Sequence, residues 1–228
     1  MAGIIIAAAQ QKGGAGKTTL MTQLAVYWSL QGKKVAVVDI DPQGSMSQWF
    51  EQRKLLTAEP GNKTIPSTIT HSQVTGWRTE NEVKKLTERH DVVLIDSAPH
   101  ALIESRIAVR AAHLILVPVQ PSPMDLWATE PTVNMALQEK KPVVLILNRS
   151  PAKSKFIEEL EALADAAGIP MAQARLGNRP AYATAISKGL GVNESAKTNK
   201  ASEELAALAI EIEQMMEVEF SVQKTAAA

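Results

Sequence analysis

Five short aliphatic runs, at residues 4–9, 35–39, 92–96, 114–119 and 143–148, recur along the chain with helix-length stretches between them. Each is rich in Val, Ile and Leu with little polar alternation, which predicts strands covered on both faces. The stretches 17–31, 80–90, 103–112, 124–140 and 153–167 predict helices. Strands alternating with helices form right-handed βαβ units, so the expected fold is α/β: a doubly wound, mostly parallel sheet flanked by helices. Residues 59–79, with Pro60, Gly61, Pro66 and Gly76 among polar neighbours, read as a surface excursion with room for one short strand. Residues 199–223 read as a final helix, with Leu205, Leu208, Ile212 and Met215/Met216 at helical spacing. One domain over 1–223 and a flexible tail at 224–228 are expected.

Composition narrows the chemistry. Aromatic residues are 4% of the 228, so the core must come from Ala, Val, Ile and Leu. The chain has no cysteine, which excludes disulfides, Cys-ligated zinc, thiol nucleophiles and Cys-ligated iron–sulfur clusters. The apolar run at 3–9 is too short for a signal peptide or a membrane span, and a cytoplasmic protein is expected. With 24 Lys/Arg against 24 Asp/Glu the net charge is zero, so any nucleic-acid contact must come from a local patch.

In a sheet of this kind, binding residues gather beyond the carboxyl ends of the strands. Directly after the first strand comes Gln11-Lys12-Gly13-Gly14-Ala15-Gly16-Lys17-Thr18-Thr19, which then opens a helix. Gly-x-x-Gly-Lys-Thr between a strand and a helix is the setting of a phosphate-binding P-loop. Gly13, Gly14 and Gly16 allow a tight turn that aims backbone N–H groups inward, beside the positive helix N-terminus. Lys17 would reach the β- and γ-phosphates, and the Thr18 hydroxyl would ligate Mg²⁺. A Gly-rich turn at a helix start is the plain alternative. Asp39 and Asp41 lie two residues apart at the end of the second strand and so point the same way. Val92-Val93-Leu94-Ile95-Asp96 is a Walker B pattern in which Asp96 would hold a water on the metal.

Lys12 is the unusual residue, because an ordinary P-loop needs only the second lysine. Lys-Gly-Gly-x-x-Lys-Thr over residues 12–18 resembles the hallmark of the MinD/ParA group of deviant Walker ATPases. The resemblance implies that Lys12 crosses a homodimer interface to the phosphates of the other subunit, supplying the charge that an arginine finger supplies elsewhere. A solvated surface lysine is the bland alternative. Asp39-Ile40-Asp41-Pro42-Gln43-Gly44 resembles the group's Asp-x-Asp-Pro-Gln-Gly element, with Asp41 orienting the attacking water and Asp39 in the outer shell of Mg²⁺. Ser97 stands where the group usually has Thr and keeps the hydroxyl. Residues 116–121 resemble a strand-end segment of the group, and 124–140 its dimer-facing helix. Ile146-Leu147-Asn148-Arg149 resembles the strand end where Asn contacts adenine; Asn148 could instead cap the next turn. Together, 13–19 with Lys12 and Asn148 form the expected nucleotide site, Lys12, Lys17 and Asp41 the catalytic set, and Thr18, Asp39 and Asp96 the metal set. ATP and Mg²⁺ are the implied cofactors. The resemblance runs from Ile4 to about Gly191.

The group divides by cargo. Nitrogenase iron-protein relatives need cysteines, which this chain lacks. Membrane-cycling relatives end in a basic amphipathic helix, whereas residues 201–228 hold six glutamates against one lysine, a charge of −5, so no membrane contact is expected. The remaining branch binds DNA without sequence readout and positions plasmids or protein cargo on the nucleoid. Residues 141–200 carry nine Lys/Arg and five Asp/Glu, or +4, in agreement with it. Arg149, Lys153, Lys155, Arg175, Arg179, Lys188, Lys197 and Lys200 are candidate phosphate contacts, with an ordinary solvated surface as the alternative. The expected protein is a short ParA-like ATPase, slow alone and stimulated by a ParB-like or cargo-adaptor partner. A positioning ATPase for a protein cargo is the alternative, and a metabolic relative of dethiobiotin synthetase a weaker one.

Overall fold

The computed structural model describes residues 3–58, 68–99, 102–151, 154–195 and 199–226. Elements follow in the order β1 (Ile4–Ala8), α1 (Lys17–Leu30), β2 (Val35–Asp39), α2 (Ser45–Ala58), β3 (Ile69–Gln73), α3 (Arg78–Thr87), β4 (Val92–Asp96) and α4 (Leu102–Ala111). Then come β5 (Leu114–Val119), α5 (Pro123–Gln138), β6 (Val143–Leu147), α6 (Lys155–Ala166), α7 (Pro180–Ile186), α8 (Val192–Ser195) and α9 (Lys200–Ala226). The strands form one six-stranded sheet in the order β3-β2-β4-β1-β5-β6, every pair parallel.

The strands lack polar alternation because both faces are covered. Along β1, Ile6 and Ala8 join one core with Leu24 and Trp28 of α1 and Leu205, Leu208 and Ile212 of α9. Ile5 and Ala7 join the other, with Val83 of α3, Val109 of α4, Val133 of α5 and Leu160 of α6. β4 divides in the same way, Leu94 to the first and Ile95 to the second. Truncating a fully buried Leu94 to Ala should cost about 2–5 kcal/mol.

Register then builds the site. Ala8, the last residue of β1, lies opposite Asp96 on β4, and Asp96 lies opposite Asp39 on β2. The two carboxylates are therefore level with each other and with the start of the loop that leaves β1, at the carboxyl edge of the sheet.

Several elements differ from the sequence expectation. The surface excursion supplies β3, an edge strand in which only Ile69 is buried, so it carries almost no aliphatic signal. Helix α2 was not expected. Its buried positions Met46, Trp49 and Arg53 have helical spacing, but the third is a cation, which breaks the apolar stripe. Arg53 is buried because Glu194 binds it through both oxygens (2.6 and 2.7 Å) and Gly189 O accepts a further bond. The short helices α7 and α8 were not expected either. Helix α9 continues through residues 224–226, the start of the expected tail, with no Gly or Pro to stop it.

Candidate nucleotide-binding site

The loop between β1 and α1 turns on two glycines in the left-handed region, Gly14 (φ 77°) and Gly16 (φ 98°). A Cβ on Gly16 would stand 2.3 Å from Asn148 Nδ2, so the loop and the end of β6 fit together only with glycine there. Asn148 Nδ2 donates to Ala15 O (2.8 Å), and its Oδ1 accepts from the Arg149 amide (2.9 Å). Asn148 thus caps its own turn and also grips the loop. Gly13 and Gly14 are exposed at the loop's outer side, and Thr19 is half-buried in the first turn of α1.

Lys17 is buried, with Nζ donating to Gln10 O (2.9 Å). Burial lowers its pKa below the ordinary lysine value, against the pull of Asp96 and Asp41. Thr18 Oγ1 donates to Asp96 Oδ2 (2.6 Å). Asp96 is wholly buried, and its Oδ1 has no hydrogen-bond partner among the described residues. Burial pushes its pKa up to about 7, the Thr18 hydrogen bond opposing and the Asp39 charge adding to the rise. An orphaned buried carboxylate oxygen beside a hydroxyl is a donor set that suits a hydrated Mg²⁺. Among the described residues no cluster of three His, Cys, Asp or Glu side chains is placed to hold a metal, so Thr18 and Asp96 would need phosphate and water oxygens to complete the shell.

Both oxygens of Asp39 are engaged by the chain itself. Oδ1 accepts from the Asp41 amide (3.1 Å), and Oδ2 from the amide (2.8 Å) and hydroxyl (2.7 Å) of Ser47. Asp41, also buried, accepts from the Gln43 amide (2.9 Å). Ser97 Oγ donates to Ala8 O (2.7 Å), pinning β4 to the root of the loop.

Lys12 does not lie over its own loop. Its ammonium donates to Asp125 Oδ2 at 2.5 Å, with the lysine side chain 34% exposed and the aspartate 2%. The same oxygen accepts from Ser122 Oγ, while that hydroxyl accepts from the Asp125 amide and caps α5. The sequence reading missed Asp125 and Ser122, although Ser122-Pro123-Met124-Asp125 has the Ser-x-x-Asp form of a helix cap. It also missed Ser47, His71 and Gln10. On α5, beside Asp125, Met124 and Trp127 are 66% and 70% exposed, and on α4 Ile103 is 71% exposed.

The basic residues are only partly gathered. Bridges between Leu145 and Met171 and between Ser150 and Gly177 lay the segment after α6 along β6, which brings Arg149 and Arg179 to one edge. Arg149 (φ 50°) and Lys155 are exposed, the latter over the Phe156 ring. Arg175 is paired with Glu161 (2.5 Å) and Arg179 with Glu204 (2.6 Å). Lys188 is exposed after α7, next to the Gly189 carbonyl that binds Arg53, and Lys200 is exposed at the start of α9. Lys153 and Lys197 lie outside the described residues. No helix among the described residues is long and apolar enough to cross a membrane.

The carboxysome-distribution protein A of Halothiobacillus neapolitanus is 27% identical over 208 residues, which span 88% of this chain and 92% of that protein. The chromosome-partitioning ATPase Soj of Thermus thermophilus is 34% identical over 134 residues, half of this chain and 54% of that one. Among solved structures, the septum site-determining protein MinD of Pyrococcus horikoshii, complexed with Mg-ADP, superposes with a TM-score of 0.72 at 21% identity, over 95% of this chain and 98% of that one. This likeness gives the fold: a P-loop sheet with the phosphate loop at its carboxyl edge. The model of the CobQ/CobB/MinD/ParA nucleotide binding domain matches residues 6–192, and the chain belongs to that family.

Proposed function

We propose that this protein is an ATP-hydrolysing, ParA-like partition or positioning factor. Its ATP-bound homodimer sits on nucleoid DNA without sequence readout and is released when a ParB-like or cargo-adaptor partner stimulates hydrolysis. The observation that carries this reading is the placement of Lys12. Its ammonium rests on Asp125 of α5, beside exposed Met124 and Trp127, and not over its own phosphate loop. Apolar surface of this kind suits a second copy of the chain. Closure of two copies would exchange the intramolecular ion pair for a contact with the other subunit's triphosphate.

Within each copy, the amides of residues 13–16 and the Lys17 ammonium cradle the phosphates. Thr18 and Asp96 would hold Mg²⁺, with Asp39 behind them, and the metal would supply positive charge beside the phosphates. Asp41 orients the attacking water, and Asn148 offers its amide to the purine edge. Lys12 adds positive charge where the transition state gains negative charge, so turnover is slow until a dimer and an activator are in place. Arg149, Lys155, Lys188 and Lys200, all exposed, supply the DNA contacts, and dimerisation doubles their number.

A protein assembly as cargo is the second reading. It is favoured by the carboxysome-distribution relative, whose match spans nearly all of both chains, whereas the Soj match spans half of each.

A DNA-retention assay with ATP, ADP and no nucleotide, run beside light scattering, tests the proposal. The expected result is a dimer and retained DNA with Mg²⁺-ATP alone, and retention that falls steeply with salt. A monomer under saturating Mg²⁺-ATP would sink the dimer, and DNA retention indifferent to nucleotide would sink the switch.

A further inference from the structure

The loop that carries Asp41 is closed at both ends by one side chain, Asp39, which accepts from the Asp41 amide and from the amide and hydroxyl of Ser47 in the first turn of α2. That hydroxyl has a second neighbour. His71 Nε2, on β3, lies 3.0 Å from Ser47 Oγ. An O···O separation of 2.7 Å needs a proton between the oxygens, and the serine hydroxyl has only one. The proton is thus committed to Asp39, and Nε2 carries the hydrogen shared with Ser47.

The imidazole is placed for this. β3 pairs with β2 so that Val37 stands opposite His71 and Asp39 opposite Gln73, which puts His71 on the same face of the sheet as Asp39. Phe50, one helical turn beyond Ser47, stacks on the ring with centroids 4.7 Å apart and planes at 23°. Burial lowers the His71 pKa below its ordinary value, Asp39 and Glu51 pulling it up and Lys54 pushing it down. A neutral ring has one N–H to give.

We propose that His71 is a positioning residue of the switch: its Nε2–H orients the Ser47 hydroxyl onto Asp39 and so fixes the loop that presents Asp41 to the phosphate site. No motif includes His71, which lies on β3, in a stretch whose sequence reads as a surface excursion. The consequence for turnover rests on the hydrolytic role proposed for Asp41; the consequence for the loop does not.

The test compares the full-length chain with His71→Phe, which keeps a ring against Phe50 but loses the donor, and His71→Gln, which keeps a donor near Nε2. Two quantities are read: kcat and KM for ATP, and hydrogen exchange at the amides of Asp41 and Ser47 without nucleotide. For the Phe variant we expect kcat to fall about fivefold with KM within about twofold, and exchange at both amides to quicken about fivefold, as for one lost hydrogen bond. The Gln variant should return both to within about twofold of the native protein. In a Ser47→Ala background, His71→Phe should add nothing, because the shared group is gone. Native turnover and exchange in the Phe variant would overturn the proposal. So would a Gln variant as impaired as the Phe one, or an undiminished His71→Phe effect in the Ser47→Ala background. Should the Phe variant not fold, His71→Asn, whose donor is too short to reach, takes its place. A native protein that does not turn over ATP would refute the hydrolytic reading, and amide exchange would then decide the positioning role by itself.

Discussion

The carboxyl edge of the sheet and the basic margin beyond β6 hold their charges in opposite ways. At the sheet edge, Lys17 is tied to a main-chain carbonyl, Asn148 grips the loop backbone and Asp39 holds two amides, all in buried surroundings. At the margin, the arginines meet carboxylate side chains, Arg175 with Glu161 and Arg179 with Glu204, and the arginine side chains are 45% and 37% exposed. Backbone anchoring fixes geometry to a few tenths of an ångström. Exposed ion pairs contribute about 0–1 kcal/mol each and exchange readily with water or with another anion. Substitutions in the first region should therefore act nearly all-or-none, and in the second by small increments.

The sharpest contrast comes from Lys12→Ala. Partner-stimulated hydrolysis should fall about 10²- to 10³-fold while nucleotide affinity measured by calorimetry changes less than about threefold; equal losses in both would place Lys12 on its own phosphates. Next is Gly16→Ala, which forces a side chain into a left-handed conformation and against Asn148. A loss of about 100-fold in nucleotide affinity is expected, close to 3 kcal/mol.

Asp96 then tests the buried edge by pH. Between about pH 4 and 7 the folded chain keeps a proton on Asp96 that the unfolded chain has lost. Its stabilising contribution is therefore complete below pH 4 and disappears as pH rises through about 7. Asp96→Asn should remove that dependence and leave the nucleotide-free protein more stable at pH 8 by on the order of 2 kcal/mol. Denaturant melts of the two proteins across this range measure the difference. The smallest effects belong to the margin: Arg149→Ala and Lys155→Ala should each weaken DNA retention about two- to threefold and reduce the salt slope by about one. A tenfold loss from either alone would mean that the margin is a built site after all.

What could be read from sequence follows the same division. β1, β2, β4, β5 and β6 were legible because burial on both faces leaves an unbroken aliphatic run, and the phosphate loop because its glycine spacing encodes a backbone path. α2 was hidden by Arg53, whose ionic partner Glu194 is 141 residues away. Asp125 was hidden for the same reason, standing 113 residues from Lys12. The margin looked like a uniform +4 strip because the glutamate that pairs Arg179 sits in the acidic last helix. Local pattern carries information about backbone; it carries little about which distant side chains meet.

The strand order has a consequence for synthesis. β1 is made first, yet its neighbours are β4 and β5, so Ile4 waits for Val92 and Ile6 for Leu114 before either hydrogen-bonded ladder can form. Asn148, which closes on Gly16, comes later still. Parallel strands cannot pair locally, and long loops must close before such contacts repay their entropy. A nascent chain on the ribosome therefore exposes its glycine loop without being able to retain a nucleotide, and acquires that ability only once the chain through Asn148 has emerged.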